Sequence, residues 1–182
     1  MNDRNKAEHR TNRRKFMGVT TAIAAGSLVK QTKIGQAADT NAAEQNPICV
    51  FTKPFNSLSF DELADRIAEL GFDGIEAPIR KGGHVEPEQV EQKLPALVEA
   101  LKKRDLKITI ITSDVNDPDD PTTERFLRTT ATLGIKRYRM KYFKYDLKQS
   151  VLSQINQWRP KLKQLAAMNH DFGLTGVYQN HA

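Results

Sequence analysis

The sequence predicts an α/β fold of four β/α units followed by a fifth strand. Three observations lead there. Five short, β-rich apolar runs follow Pro47, and segments with helical periodicity separate them. Glycines at 71, 134 and 173 stand where helices should stop, because glycine takes the left-handed conformation without strain. Strands joined by helices run parallel, with right-handed crossovers. A five-stranded doubly wound sheet and the first part of an eight-fold barrel both fit this pattern. The Gly-rich phosphate fingerprint of a dinucleotide fold is missing from the first strand exit, where Thr52-Lys53-Pro54-Phe55-Asn56 stands.

Residues 48–51 make the first strand, with Cys49 read as a small core residue among apolar neighbours. Ser59-Phe60-Asp61-Glu62 is a capping box, in which the Ser59 hydroxyl and the Glu62 carboxylate each satisfy a free amide. Leu63, Ile67 and Leu70 then line one helical face. Residues 74–77 form the second strand, and 78–86 its outgoing loop. Val90, Leu94, Leu97, Val98 and Leu101 mark the next helix; Pro95 within it predicts a short turn and a main helix starting at that proline. Residues 106–112 form the third strand. Asp120-Pro121 gives an N-cap and first-turn proline for a helix ending at Gly134. Residues 135–141 carry the fourth strand. Val151, Ile155, Trp158, Leu162 and Leu165 mark a long helix, with Pro160 on its solvent side or at a kink. Residues 174–178 form the fifth strand.

Residues 1–38 read as an export signal. A basic stretch ends in Arg13-Arg14-Lys15, and 14 mostly small or apolar residues follow, from 16 to 29. As a helix that run spans about 21 Å, short of a bilayer core of about 30 Å, so no stable membrane span is expected. The order Arg13-Arg14-Lys15-Phe16 resembles the twin-arginine motif, and small residues up to Ala38 supply a cleavage site. Residues 39–46 are a polar linker, residues 47–182 the domain, and the destination is periplasmic or secreted.

The chain holds 28 Lys plus Arg against 22 Asp plus Glu, yet residues 1–46 hold eight of those bases and four of those acids. The remainder, with 20 bases and 18 acids, predicts no basic face on the folded body and no nucleic-acid partner. Phosphodiester chemistry on damaged DNA does not fit that balance. One cysteine excludes an intramolecular disulfide and a multi-cysteine zinc site.

Ser59-Phe60-Asp61-Glu62-Leu63-Ala64 and Glu69-Leu70-Gly71-Phe72-Asp73-Gly74-Ile75-Glu76 resemble the opening of the xylose-isomerase-like TIM barrels, the sugar phosphate isomerase/epimerase group. Residues 94–109 are similar to that group's second helix and third strand, and 173–181 to its fifth-strand end. The resemblance implies a partial (β/α)8 barrel. A whole one takes about 250 residues, so the chain is expected to be an N-terminal piece, inactive alone and prone to self-associate through its open edges. It also implies a small-molecule sugar substrate, a polyhydroxy carbonyl compound converted through an enediolate. A divalent metal (Mn, Mg, Co or Zn) would stabilise that enediolate in a full-length parent, a role doubtful in this piece. A non-catalytic carbohydrate-binding barrel is the alternative.

Active sites of such barrels lie at strand C-termini. Glu76 ends the second strand and is read as a catalytic carboxylate, or as a structural one pairing Lys53 or Arg80. His84 follows Gly82-Gly83, whose flexibility lets the backbone bend around a ligand, and is the second catalytic candidate. Asp114 is read as a turn former among its acidic neighbours. Arg139 and Lys141 alternate with Met140, and Lys141 is a candidate anion-binding cation. By resemblance Gln179 takes the place of the group's metal-binding glutamate, as a weak ligand or a sugar hydrogen-bonder that cannot act as a base. Asn180 and His181 match the Asn-His that often follows it, as substrate contacts.

Replacing Arg13 and Arg14 with lysine is expected to leave the precursor unprocessed in a fractionation assay. Unchanged secretion of the double variant would contradict the export reading.

Overall fold

A computed structural model describes residues 46–180. The leader 1–38 and all of the linker 39–46 except Asn46 lie outside them, as does His181. The described elements alternate as expected: β1 (Cys49–Phe51), α1 (Phe60–Glu69), β2 (Gly74–Ile79), α2 (Val90–Lys102), β3 (Lys107–Ser113), α3 (Thr123–Thr132), β4 (Arg137–Arg139), α4 (Val151–Phe172) and β5 (Thr175–Val177).

All the pairings are parallel, and the spatial order is β1-β2-β3-β4-β5. That order decides between the two architectures. A doubly wound sheet reverses direction at a switch point and carries helices on both faces. Here every right-handed crossover steps the same way, which puts the helices on one side, as in a barrel. Consecutive helices pack on one another accordingly, α1 on α2, α2 on α3 and α3 on α4. The fold is a partial (β/α)8 TIM barrel, with β1 and β5 at the sheet's two edges.

Strand side chains alternate between two faces. Ile75, Ala77, Ile111 and Tyr138 are fully buried and pack into one core with Leu63 and Ile67 of α1, Leu97 of α2 and Leu127 of α3. The register places Phe51 beside Glu76, and Thr112 beside Arg139, on the other face. Tyr138 donates its hydroxyl to Asn169 Oδ1 at 3.0 Å, tying α4 to β4; burial pushes the phenol up to about 12.

The capping box is present. Glu62 N–H donates to Ser59 Oγ at 3.4 Å, and Ser59 N–H to Glu62 Oε2 at 2.8 Å. The Ser59 hydroxyl, which also donates to Glu62 Oε2 at 2.7 Å, and the Ser59 N–H hold the Glu62 carboxyl below its ordinary value. Gly71, Gly134 and Gly173 have positive φ at or just after their helix ends.

Several boundaries differ from expectation. β2 runs on through Pro78. Glu76 offers its carbonyl to Thr52 N–H on the β1 side, and Pro78, two residues on, faces the same way. β1 has already ended there, so the missing N–H breaks no ladder bond. α2 begins at Val90 and carries Pro95 inside it. One lost backbone bond is outweighed by the burial of Val90, Leu94, Leu97 and Leu101 along one face. α3 starts at Thr123, not at Pro121, because Asp120 and Pro121 form a turn closed by Thr123 N–H on the Asp120 carbonyl at 3.0 Å.

Cys49 is exposed, since it opens the edge strand β1. Val151, Ile155 and Leu162 are exposed as well, against the expected buried stripe. α4 packs on α3 and β5 through Leu165, with Met168 and Phe172 against the core, so its N-terminal half contributes little to that core.

Candidate functional site

The C-terminal ends of the strands converge on Arg139. Its Nη2 lies 3.1 Å from Glu76 Oε1 and donates to Thr112 Oγ1 at 2.9 Å. Its Nη1 donates to Gln179 Oε1. The guanidinium carbon stands 5.5 Å from the centre of the Phe51 ring, within cation–π range. One side chain from β4 therefore touches residues on or just beyond each of the other four strands. Arg139 and Glu76 are 21% and 23% exposed, too enclosed for solvent to screen the pair as it screens a surface bridge. Arg139 Nε is buried and meets no acceptor.

Glu76 is the third residue of β2 and sits on the strand, not at its end. Its Oε1 also accepts the Thr112 hydroxyl at 2.5 Å. Oε1 is thus held from two sides, while Oε2 has no hydrogen-bond partner among the described residues. Neither sequence-expected partner, Lys53 or Arg80, pairs with Glu76; the cation comes from β4, two strands away. Two parallel neighbours beyond a strand are easily missed in a linear reading.

His84 is half-buried, not solvated. Its Nε2 lies 2.9 Å from Thr52 Oγ1, and that hydroxyl lies 3.2 Å from the Glu76 carbonyl. Burial holds the imidazole below its ordinary 6.5, and the hydrogen bond to Thr52 works the other way. His84 thus supports the backbone beneath Glu76 from behind. The Gly82-Gly83 turn has a backbone reason. A Cβ on Gly83 would stand 2.3 Å from the Pro78 carbonyl oxygen, so the glycine lets the chain fold back on β2. Asp114 takes part in the same turn, accepting Lys81 N–H at 2.8 Å.

Phe51, Thr112, Ser113, Arg139 and Met140 floor a cavity of about 310 Å³ that opens at the strand ends. Lys141 lies two residues beyond the end of β4 and lines the cavity, as does Arg139. Gln179 and Asn180 are exposed beyond β5. The floor residues Thr112 and Phe51 carry no motif. The usable signal is position, as the residues at and just past the end of each predicted strand.

A divalent cation needs several converging carboxylate, imidazole or carbonyl ligands. Among the described residues no group of three His, Cys, Asp or Glu is placed to hold one. The place between Glu76 and Gln179 is filled by the Arg139 guanidinium. A metal brought there would meet a like charge, so these residues do not fit a metal ion. No described helix is long and apolar enough to cross a membrane.

No family model matches the chain, and no curated protein does either. Solved structures do. A probable 3-DHS dehydratase, AsbF, from Bacillus anthracis superposes with a TM-score of 0.56 at 15% identity, over 74% of this chain and 52% of that one. A xylose isomerase-like TIM barrel protein from Mycobacterium smegmatis, solved in complex with magnesium, gives 0.55 at 13% identity, over 75% and 55%. A D-psicose 3-epimerase solved in the presence of D-fructose gives 0.50 at 17% identity, over 75% and 55%. The chain spans about half the length of these structures. At such identities the likeness is one of fold.

The placement of His84 has a consequence for pH. Its folded value lies below 6.5, so as pH falls through 6.5 the unfolded chain takes up a proton that the folded chain resists. Stability then drops; above about pH 7.5 both states are neutral and His84 contributes nothing. The thermal midpoint should fall between pH 7 and pH 5, and His84→Gln should flatten that fall. An unchanged slope in the variant would show that His84 is not protected from protonation.

Proposed function

We propose that this chain carries the substrate-binding and proton-transfer residues of a sugar isomerase or epimerase of the xylose-isomerase-like type. It would act on a small polyhydroxy carbonyl compound. The observation that supports the reading is the Glu76 carboxylate at the mouth of parallel strands, with one oxygen held by Thr112 and Arg139 and the other unpartnered. Isomerisation and epimerisation next to a carbonyl both begin with loss of the proton on the neighbouring carbon. Glu76 Oε2 is the group that takes this proton and returns it on the adjacent carbon or the opposite face. As the proton leaves, the carbonyl oxygen gains negative charge, and the Arg139 guanidinium is the fixed cation beside it. Thr112 and His84, the latter through Thr52, hold Glu76 in place. Gln179 contributes an amide to the sugar hydroxyls or to Arg139, not a base.

In this proposal the leader 1–38 exports the protein to the periplasm or beyond, and a second copy covers the open edges at β1 and β5. The neutral amide of Gln179, bonded to Arg139, favours a second reading as a carbohydrate-binding barrel without catalysis.

Solvent exchange separates the two. Protein expressed from its whole reading frame is incubated with D-fructose in D2O and followed by proton NMR. Deuterium entering the carbon next to the carbonyl, with at least a hundredfold loss in Glu76→Gln, is the expected result. Binding without exchange would overturn catalysis in favour of the binding barrel.

A further inference from the structure

The large apolar and aromatic side chains left exposed are not spread evenly. Eight of the ten among the described residues lie between Tyr142 and Tyr178. Singly exposed apolar residues need no account, but a concentration of them marks a contact surface. On α4, Val151, Ile155, Trp158 and Leu162 follow at spacings of four, three and four, which sets them along one stripe of the helix. Leu165, Met168 and Phe172 pack on the core farther along, so the stripe leaves the core as it runs back toward Val151. Lys161 pairs with Asp117 and Asp119 ahead of α3, and Arg128 of α3 lies over the Phe172 ring at 5.4 Å. The helical repeat therefore turns Leu152, Arg159 and Lys163 away from α3.

The loop from β4 to α4 extends this surface. Trp158 stacks on Phe143 with ring centres 4.6 Å apart and meets Tyr145 edge-on at 5.0 Å, and Phe143 also stacks on Tyr178. Buried Gln154 fixes the loop from below, accepting Asp146 N–H at 2.8 Å and donating to the Asp146 carbonyl at 3.0 Å. Leu147, 94% exposed, and Leu152, 64% exposed, stand out from this frame. The charge is one-sided. Residues 141–163 hold six Lys and Arg and one carboxylate, Asp146, which is held by Lys148 N–H and the Gln149 side-chain amide. Of the six cations only Lys161 forms an ion pair with a described residue. Lys141 and Lys144 also line the strand-end cavity beside Lys53, Arg80 and Arg139. The near-even balance of acids and bases over residues 47–182 conceals this clustering, and the expectation of a body without a basic face is corrected here.

A helix lying in a bilayer surface puts apolar side chains into the acyl boundary and keeps its cations among the headgroups, with Trp and Tyr rings at the border. We infer that the exposed face of α4 and the loop before it dock on an anionic phospholipid bilayer, with α4 lying along the surface. The charge complementarity favours this occupant over a second copy of the chain. A two-fold contact through the face would set Lys144, Lys148, Arg159 and Lys163 against cations of their own kind. A nucleic acid would take the cations and the rings, but Leu147 and Leu152 would then face phosphates and gain nothing from leaving water. The inference is independent of the chemistry proposed at Glu76.

Trp158 is the one tryptophan of the chain, so its fluorescence reports on this face and not on the leader. The full chain is titrated with vesicles of phosphatidylcholine alone, and with vesicles of phosphatidylcholine and phosphatidylglycerol in equal parts. On the anionic vesicles Trp158 emission should move to shorter wavelength and be quenched by acyl-brominated lipid. Affinity should exceed that for the neutral vesicles by at least about tenfold, and should fall at least about fivefold in 0.5 M salt. Leu152→Ser, and Arg159→Gln combined with Lys163→Gln, should each weaken binding about tenfold by the same signal. All three side chains are exposed, so these changes leave the core intact. Lys102→Gln, on α2, should change nothing. Emission that stays unmoved on anionic vesicles, moves equally on neutral ones, or ignores both sets of variants would overturn the inference. So would a shift that grows with protein concentration in the absence of lipid, which assigns the face to a second copy. A shift produced by duplex DNA and indifferent to Leu152→Ser would assign it to nucleic acid and overturn the inference as well.

Discussion

Five consecutive strands pair in parallel, and each returns through a helix on the same side. This constraint sends every strand end to one edge, where residues far apart in sequence become neighbours. The register sets Phe51 beside Glu76 and Thr112 beside Arg139, and Gln179 reaches Arg139 from two residues beyond β5. Arg139 is the contact they share. Its planar guanidinium offers several donors in fixed directions, which suits a side chain that must bond to three neighbours and lie beside a ring. Lysine at this place would offer three donors from one point and no planar fork to span those partners or lie beside the ring.

The same guanidinium decides what chemistry the strand ends can perform. A metal site would need carboxylates facing an open space, and here the space beside Glu76 already holds a positive charge. The arrangement orients one carboxylate oxygen and leaves the other unpartnered, with a cation adjacent. Below it, His84 is bonded to Thr52, and burial disfavours its charged form. Above it, the cavity gathers cations whose only lining carboxylate, Asp114, is engaged with the Lys81 backbone.

The fold was legible in the sequence where a local rule applied. Ser59 and Glu62 announce α1 because a capping box is a four-residue device, and Gly134 and Gly173 mark helix ends because a positive φ is strained for other residues. Expectations failed where tertiary packing overrode a local rule. Pro95 is tolerated because α2 buries a whole apolar face, and Pro78 because its neighbour β1 ends before it. The apolar spacing of α4 is real, yet Val151 and Ile155 face away from the core. At the site, Glu76 was expected at the end of a strand that in fact runs on to Ile79, and Lys141 on or at the end of one that stops at Arg139. The pairing of Glu76 with Arg139 was not legible, because nothing in a linear sequence tells which strand supplies the partner. The basic cavity escaped notice for a related reason: a net charge summed over a domain is blind to the acids and bases being sorted onto different surfaces.

The Glu76–Arg139 link across β2 and β4 is tested most directly by a double-mutant cycle. Unfolding free energies are measured for the parent chain, Glu76→Gln, Arg139→Met and the double variant. A coupling of about 0.5–3 kcal/mol is expected, the range for contacting residues in one hydrogen-bonded network. Strictly additive losses would mean that the two side chains do not interact in solution and that Arg139 does not organise the strand ends.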